Sequence, residues 1–168
     1  MEKILKRELL KEKIDELRQK GRIIAFTNGC FDILHVGHVR YLKEARKTAD
    51  VLVLALNSDS SVRALKGSTR PLVPEAERAE VLAALECVDF ITIFSEATPL
   101  ELICYLKPDI LIKGGDWPED QVVGRNEIKQ WGGYVRLIPE VAGKSTTNIV
   151  EKILAACGNE DAPQERIK

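Results

Sequence analysis

The sequence predicts an α/β fold in which a five-stranded parallel sheet carries helices on both faces, and three observations lead there. Five short β-rich runs alternate with helix-compatible stretches along the 168 residues. Several of these runs are apolar on both faces, VLVLAL at 51–56 most plainly, as strands covered on each side must be. The segments between runs are long enough for the crossover helices that parallel pairing requires. No internal repeat, low-complexity tract or proline-rich linker divides the chain.

The elements follow in order. Leu10, Ile14 and Leu17 recur at i, i+4 and i+7 before Gly21, which predicts an amphipathic helix over 1–21 closed by a glycine. A core domain over 22–157 then takes strands at 23–27, 51–56, 90–94, 110–113 and 134–138. Helices are expected at 38–48, 75–86, 99–106, 125–131 and 147–157, and 158–168 reads as a polar tail. The stretch 57–71 reads as a mobile loop. Strands alternating with helices in this way define a Rossmann-like doubly wound sheet, in which ligands gather beyond the carboxyl ends of the strands. The loops after each strand are therefore where chemistry is sought.

Composition narrows the function. With 25 Lys+Arg against 26 Asp+Glu the net charge is −1, which lacks the cationic excess of a general nucleic-acid binder. No apolar run approaches the about 20 residues that cross a bilayer, and the charged amino terminus does not resemble a secretory leader. A cytoplasmic protein is expected. Its four cysteines form no C-x-x-C pair, so reduced thiols are expected in place of disulfides or a zinc site.

Four loops carry chemically capable residues. After the first strand comes TNGCFDILHVGH, containing the only two histidines, His35 and His38, three residues apart at a helix start. Unpaired backbone N–H groups there suit a phosphate, Gly37 leaves room for close approach, and both imidazoles can donate. Capping or packing is the plain alternative; zinc lacks a third ligand. After the second strand, Lys66 and Arg70 are candidate phosphate clamps or a solvated pair, and Arg78 near the next helix start is a third cation. After the fourth strand, Lys113-Gly114-Gly115-Asp116-Trp117 offers exposed backbone to a polar ligand or forms a tight turn. After the fifth, Gly143-Lys144-Ser145-Thr146-Thr147 resembles the end of a P-loop, but Ile138 stands where that motif needs glycine. The hydroxyls suit an anion or ordinary helix capping.

The segment TNGCFDILHVGHVRYL resembles the H-x-G-H signature of the cytidylyltransferase-like nucleotidyltransferases. With NSDSSVRALKGSTRPL, ERAEVLAALECVDF, PDILIKGGDW and GGYVRLIPEVAGKSTT, the match over about 21–155 is similar to one branch, the D-glycero-β-D-manno-heptose 1-phosphate adenylyltransferases. Many members are fused to a sugar kinase, and a chain of this length is expected to be the transferase alone. The resemblance implies transfer of AMP from ATP to a sugar 1-phosphate, with Mg2+ bound through substrate phosphates and no dedicated metal residue. It implies catalytic roles for His35, His38 and Lys66. Nucleotide or phosphate contacts fall to Thr27, Asn28, Gly29, Phe31, Gly37, Arg70, Arg78, Ser145, Thr146 and Thr147. Asp32, Lys113, Gly115, Asp116 and Trp117 would face the sugar phosphate. A homodimer is also implied. The nearest alternative is a cytidylyltransferase acting on glycerol 3-phosphate or a related alcohol phosphate; a different class is a non-catalytic nucleotide sensor, or a binding subunit whose exposed amino-terminal helix docks a kinase partner.

Overall fold

Alternation of apolar side chains across the central strands builds two cores, one on each face of the sheet. In β2 (Val51–Asn57) every residue is buried, with Val51, Val53 and Ala55 on one face and Leu52, Leu54 and Leu56 on the other. The computed structural model describes residues 2–115, 118–139 and 143–157. β1 (Ile24–Gly29), β3 (Phe90–Phe94), β4 (Ile110–Gly114) and β5 (Tyr134–Ile138) complete the sheet in the order β3-β2-β1-β4-β5. All neighbours are parallel.

Helices divide between the two cores. α1 (Arg7–Gln19), α5 (Leu100–Leu106) and α6 (Arg125–Lys129) pack on the face of Phe26 and Val53. α2 (Val36–Arg46) and α4 (Glu75–Ala83) cover the face of Ala25 and Leu54. Leu10 and Ile14 of α1 are fully buried, and burying such aliphatic side chains contributes roughly 1.5–3 kcal/mol each. Just before α1, the Leu5 N–H donates to Ile91 O and the Ile91 N–H to Lys3 O, both at 2.8 Å, so the chain lies along the outer edge of β3. The apolar stripe expected of this helix is thus taken up by the molecule's own core.

Two differences from the sequence reading bear on the site. α2 begins at Val36, ahead of the expected start, because His35 itself is the N-cap. The stretch read as a loop contains α3 (Asp59–Lys66), capped by Ser58 Oγ accepting from the Ser61 N–H at 3.2 Å. The last helix, α7 (Thr146–Cys157), has no buried residue, and its Ile153 and Leu154 are exposed. Among the described residues no helix is long and apolar enough to cross a membrane.

Candidate active site

β1 lies between β2 and β4, so the chain turns opposite ways from its two sides and leaves a crevice at the carboxyl ends. A cavity of about 390 Å3 occupies that crevice. Its walls come from the loop after β1, the first turns of α2, Lys66 at the end of α3, Lys113 and Gly114 of β4, and residues 144–147 at the start of α7. The histidine pair, Lys66, Lys113 and the hydroxyl-rich helix start therefore meet around one space.

Geometry fixes the proton on the first imidazole. His35 Nδ1 accepts from the Gly37 N–H at 3.1 Å, so the neutral ring carries its proton on Nε2 and presents a donor. The His38 ring stacks on it at 3.8 Å between centroids and leans on Phe31 at 5.0 Å. His38 Nδ1 is buried without a partner. That atom lacks a partner in either neutral tautomer, and the ring keeps one N–H to donate in both. Burial, then the neighbouring His35 and Lys66, push the His38 pKa down to about 4. Burial and Lys144 lower that of His35. Both rings are neutral donors near pH 7.

Several cations and acids assigned from sequence are already engaged by the fold. Asp32 was expected to bind sugar hydroxyls, but its Oδ1 accepts from the Leu72 and Val73 N–H groups at 2.7 and 2.9 Å. Its Oδ2 accepts from Arg70 Nη1 at 2.8 Å. Burial alone would raise its pKa, yet the bonds from Val73, Arg70 and Leu72 hold the carboxyl below its ordinary value. Asp32 is a latch fastening the segment after α3 to the loop after β1, and Arg70 is its partner, not a free phosphate clamp.

Arg78 corrects the sequence reading further. Its side chain has no exposed surface. Its guanidinium donates to Val73 O, Cys30 O, Asn57 O and Asp59 Oδ1 at 2.8, 2.5, 2.9 and 2.7 Å, so it stitches four segments and cannot reach a triphosphate. Thr27, expected at the nucleotide, is buried, and its hydroxyl bonds to that of Tyr41 at 2.7 Å. Gly115 does not line the cavity, and its N–H donates to Ile138 O at 3.1 Å. Asp116 and Trp117 lie outside the described residues.

The remaining expected positions do line the cavity: Asn28, Gly29, Phe31, Gly37, Ser145, Thr146 and Thr147. Ser145 also caps its helix, accepting from the Asn148 N–H at 3.1 Å, so the plain capping alternative holds beside any ligand role. Cys30, Tyr41, Gly114 and Lys144 line the cavity as well and were missed. Tyr41 follows His38 by three residues on one helix, a same-face spacing that could have found it. Lys144 stands inside the segment already singled out.

Chemically, the described residues of this wall offer donors and cations but no nucleophile–base pair. Asp32 is the one carboxylate among the described residues lining the cavity, and both its oxygens are occupied. Among the described residues of this wall no carboxylate is therefore free to hold a divalent cation, and Mg2+ bound there would take its oxygens from a ligand's phosphates and water.

Fold and site together define an α/β domain with a crevice lined by imidazoles, lysines and hydroxyls at its topological switch point. The chain belongs to the cytidylyltransferase-like family, whose model matches residues 26–155. It is 58% identical over 152 residues to the bifunctional protein HldE of Trichlorobacter lovleyi, and 56% identical over 152 residues to that of Syntrophotalea carbinolica. In both cases 90% of this chain is matched, and the chain spans only 31% of the relative's length. Among solved structures, the lipopolysaccharide core biosynthesis protein from Thermoplasma volcanium is 32% identical with a TM-score of 0.60. That likeness covers 72% of this chain and 98% of the other.

Proposed function

We propose that this protein transfers AMP from ATP to a sugar 1-phosphate, with D-glycero-β-D-manno-heptose 1-phosphate as the acceptor, in the cytoplasm and as a homodimer. The observation that carries this reading is the convergence of two neutral imidazole donors, Lys66, Lys113 and the α7 start on one cavity. Its support from relatives is the strong likeness to part of the bifunctional protein HldE.

In this reading a phosphate oxygen of the acceptor attacks the α-phosphorus of ATP. A new P–O bond forms, the bond from the α-phosphorus to the bridging oxygen breaks, and pyrophosphate leaves with the electron pair. The nucleophile is already ionised, so no general base is needed, in keeping with a wall that offers none. His35 and His38 aim their N–H donors at the charge developing on the α-phosphoryl oxygens. Lys66 neutralises the incoming phosphates, while Thr146, Thr147 and the free N–H groups of α7 hold the departing pyrophosphate. Mg2+ would come with the substrate phosphates, no carboxylate of the described wall being free to hold it, and would supply charge neutralisation beside Lys66.

The test is incubation of the protein with Mg2+, all four nucleoside triphosphates and a set of sugar 1-phosphates and glycerol 3-phosphate, followed by mass spectrometry. An ADP-sugar and pyrophosphate are expected, and His38→Ala should lower turnover by about 10²-fold or more. A CDP-linked product in its place would move the protein to the cytidylyl branch. Nucleotide binding without any pyrophosphate release would favour a sensor.

A further inference from the structure

Among the described residues no hydrogen bond holds the His38 ring. It rests on His35 and leans on Phe31, contacts that are van der Waals in kind and resist sliding only weakly. Where the ring points is therefore set by the helix that carries it. An imidazole nitrogen about 6 Å from the axis of an α-helix sweeps about 1 Å for a rotation of about 10°. The angle at which α2 is locked about its own axis thus decides whether the His38 donor meets its target.

Two side-chain bonds between α2 and the sheet side of the fold lock that angle among the described residues. Away from the cavity, Arg46 Nε pairs with Asp89 just ahead of β3 at 2.9 Å, and Leu42 and Ala45 are buried in the same core. At the cavity half, Tyr41 Oη and Thr27 Oγ1 of β1 lie 2.7 Å apart. Tyr41 follows His38 by three residues, so it stands about one turn along the same helix face. Thr27 is fully buried, and burial pushes the Tyr41 phenol up to about 12, so the phenol stays neutral and the tie does not change with pH near 7. Gly114 of β4 leaves room for the ring, since a Cβ there would stand 3.1 Å from Tyr41 Cε2. Tyr41 therefore touches both β1 and β4, the neighbouring strands whose carboxyl ends flank the crevice.

We propose that Tyr41, tied to Thr27 and seated against Gly114, is a positioning residue that locks the cavity half of α2 and so aims the His38 donor at the reacting phosphate. This rests on the transferase reading above and adds to it the group that orients one of its donors. The Tyr41 ring lines the cavity, whereas its hydroxyl is turned to Thr27, so phenylalanine keeps the wall and removes only the tie. What the tie supplies is alignment. Its loss should fall on the step in which charge develops and spare ground-state binding.

The experiment compares the full chain with Tyr41→Phe, Thr27→Val and the double variant, by thermal melt and by kcat and KM for ATP and sugar 1-phosphate well below the lowest melting temperature. Each single change strands one hydroxyl and should lower the melting temperature by about 3–8 °C. The double change removes both partners and should return it to within about 3 °C of wild type. A purely structural bond would then leave turnover intact. A positioning bond leaves the double variant with kcat lowered about 10-fold or more and both KM values within about threefold. Wild-type kcat in the double variant, or a loss that falls on KM, would overturn the proposal. A second readout needs no substrate: the chain has only two histidines, so proton cross-relaxation between the His38 and Phe31 rings reports directly where His38 points. It should weaken in the single and double variants alike. Should no acceptor turn over, the transferase reading fails, while weakened cross-relaxation still supports the tie and unaltered cross-relaxation overturns it.

Discussion

Replacing Gly37 with alanine perturbs the imidazole pair without removing a polar group. Gly37 is buried in the first turn of α2 in ordinary helical backbone, so alanine brings no backbone strain and a propensity gain of up to about 0.5–1 kcal/mol. Its methyl, however, would stand 2.9 Å from His35 Cε1 and Nδ1 and 3.2 Å from Lys144 Cβ. Comfortable carbon contacts begin near about 3.5 Å, so the ring must retreat by roughly 0.6 Å or more. That retreat lengthens the 3.1 Å bond from the Gly37 N–H to His35 Nδ1, a loss of about 1 kcal/mol. The two stability contributions oppose each other, and the net change should stay within about 1 kcal/mol. Catalysis has no such offset, because displacing a donor by up to about 1 Å costs about 10²-fold. Pyrophosphate release at saturating ATP and sugar 1-phosphate, read beside a thermal melt, should show a folded but nearly inactive protein. A folded variant with undiminished turnover would refute the placement of His35 as a positioned donor.

Three other outcomes follow from the pairing of charges. Asp32→Ala should destabilise the protein by about 3 kcal/mol in urea unfolding, since it strands two backbone donors and Arg70; a rise in acceptor KM with unchanged stability would instead restore its sugar role. Arg78→Met should cost about 3–5 kcal/mol, because Asp59 and three carbonyls lose their common partner; a loss under about 1 kcal/mol would show that the hub is dispensable. His38 takes up a proton near 6.5 when unfolded but only near about 4 when folded, so the unfolded chain binds more protons between these values. Its contribution is present above 6.5 and is lost as pH falls toward 4, so wild type should lose melting temperature more steeply than His38→Gln across that window; parallel curves would contradict the burial of this ring.

The strands were legible because their signal is local. Each residue of 51–56 reports its own burial by being apolar, and the period of two then sorts the run between faces without knowledge of neighbours. α3 was not legible, since in DSSVRALK only Val62 is a buried aliphatic and the capping bond from Ser61 to Ser58 looks, in sequence, like any polar turn. His35 and His38 were legible as a pair because three residues at a helix start must bring them together. Their neutrality was not, because it comes from burial and from Lys66 and Lys144 on other segments.

Charged side chains expose the deeper limit of sequence reasoning. Asp32, Arg70 and Arg78 have the same residue types as a ligand site, yet all their partners but the Val73 carbonyl on Arg78 lie 19 to 48 residues away, and Arg78 is held mainly by backbone carbonyls that any residue could supply. Pattern cannot separate such cations from Lys66, Lys113 and Lys144. Counting partners can, because an internal carboxylate or carbonyl that satisfies a cation removes it from service. With Arg70 and Arg78 so engaged and both histidines neutral, the positive charge left facing the cavity is that of the lysines. Around the cavity the fold has thus spent Asp32 and Asp59 on its own arginines, and this selective pairing leaves a locally cationic wall on a chain of net charge −1.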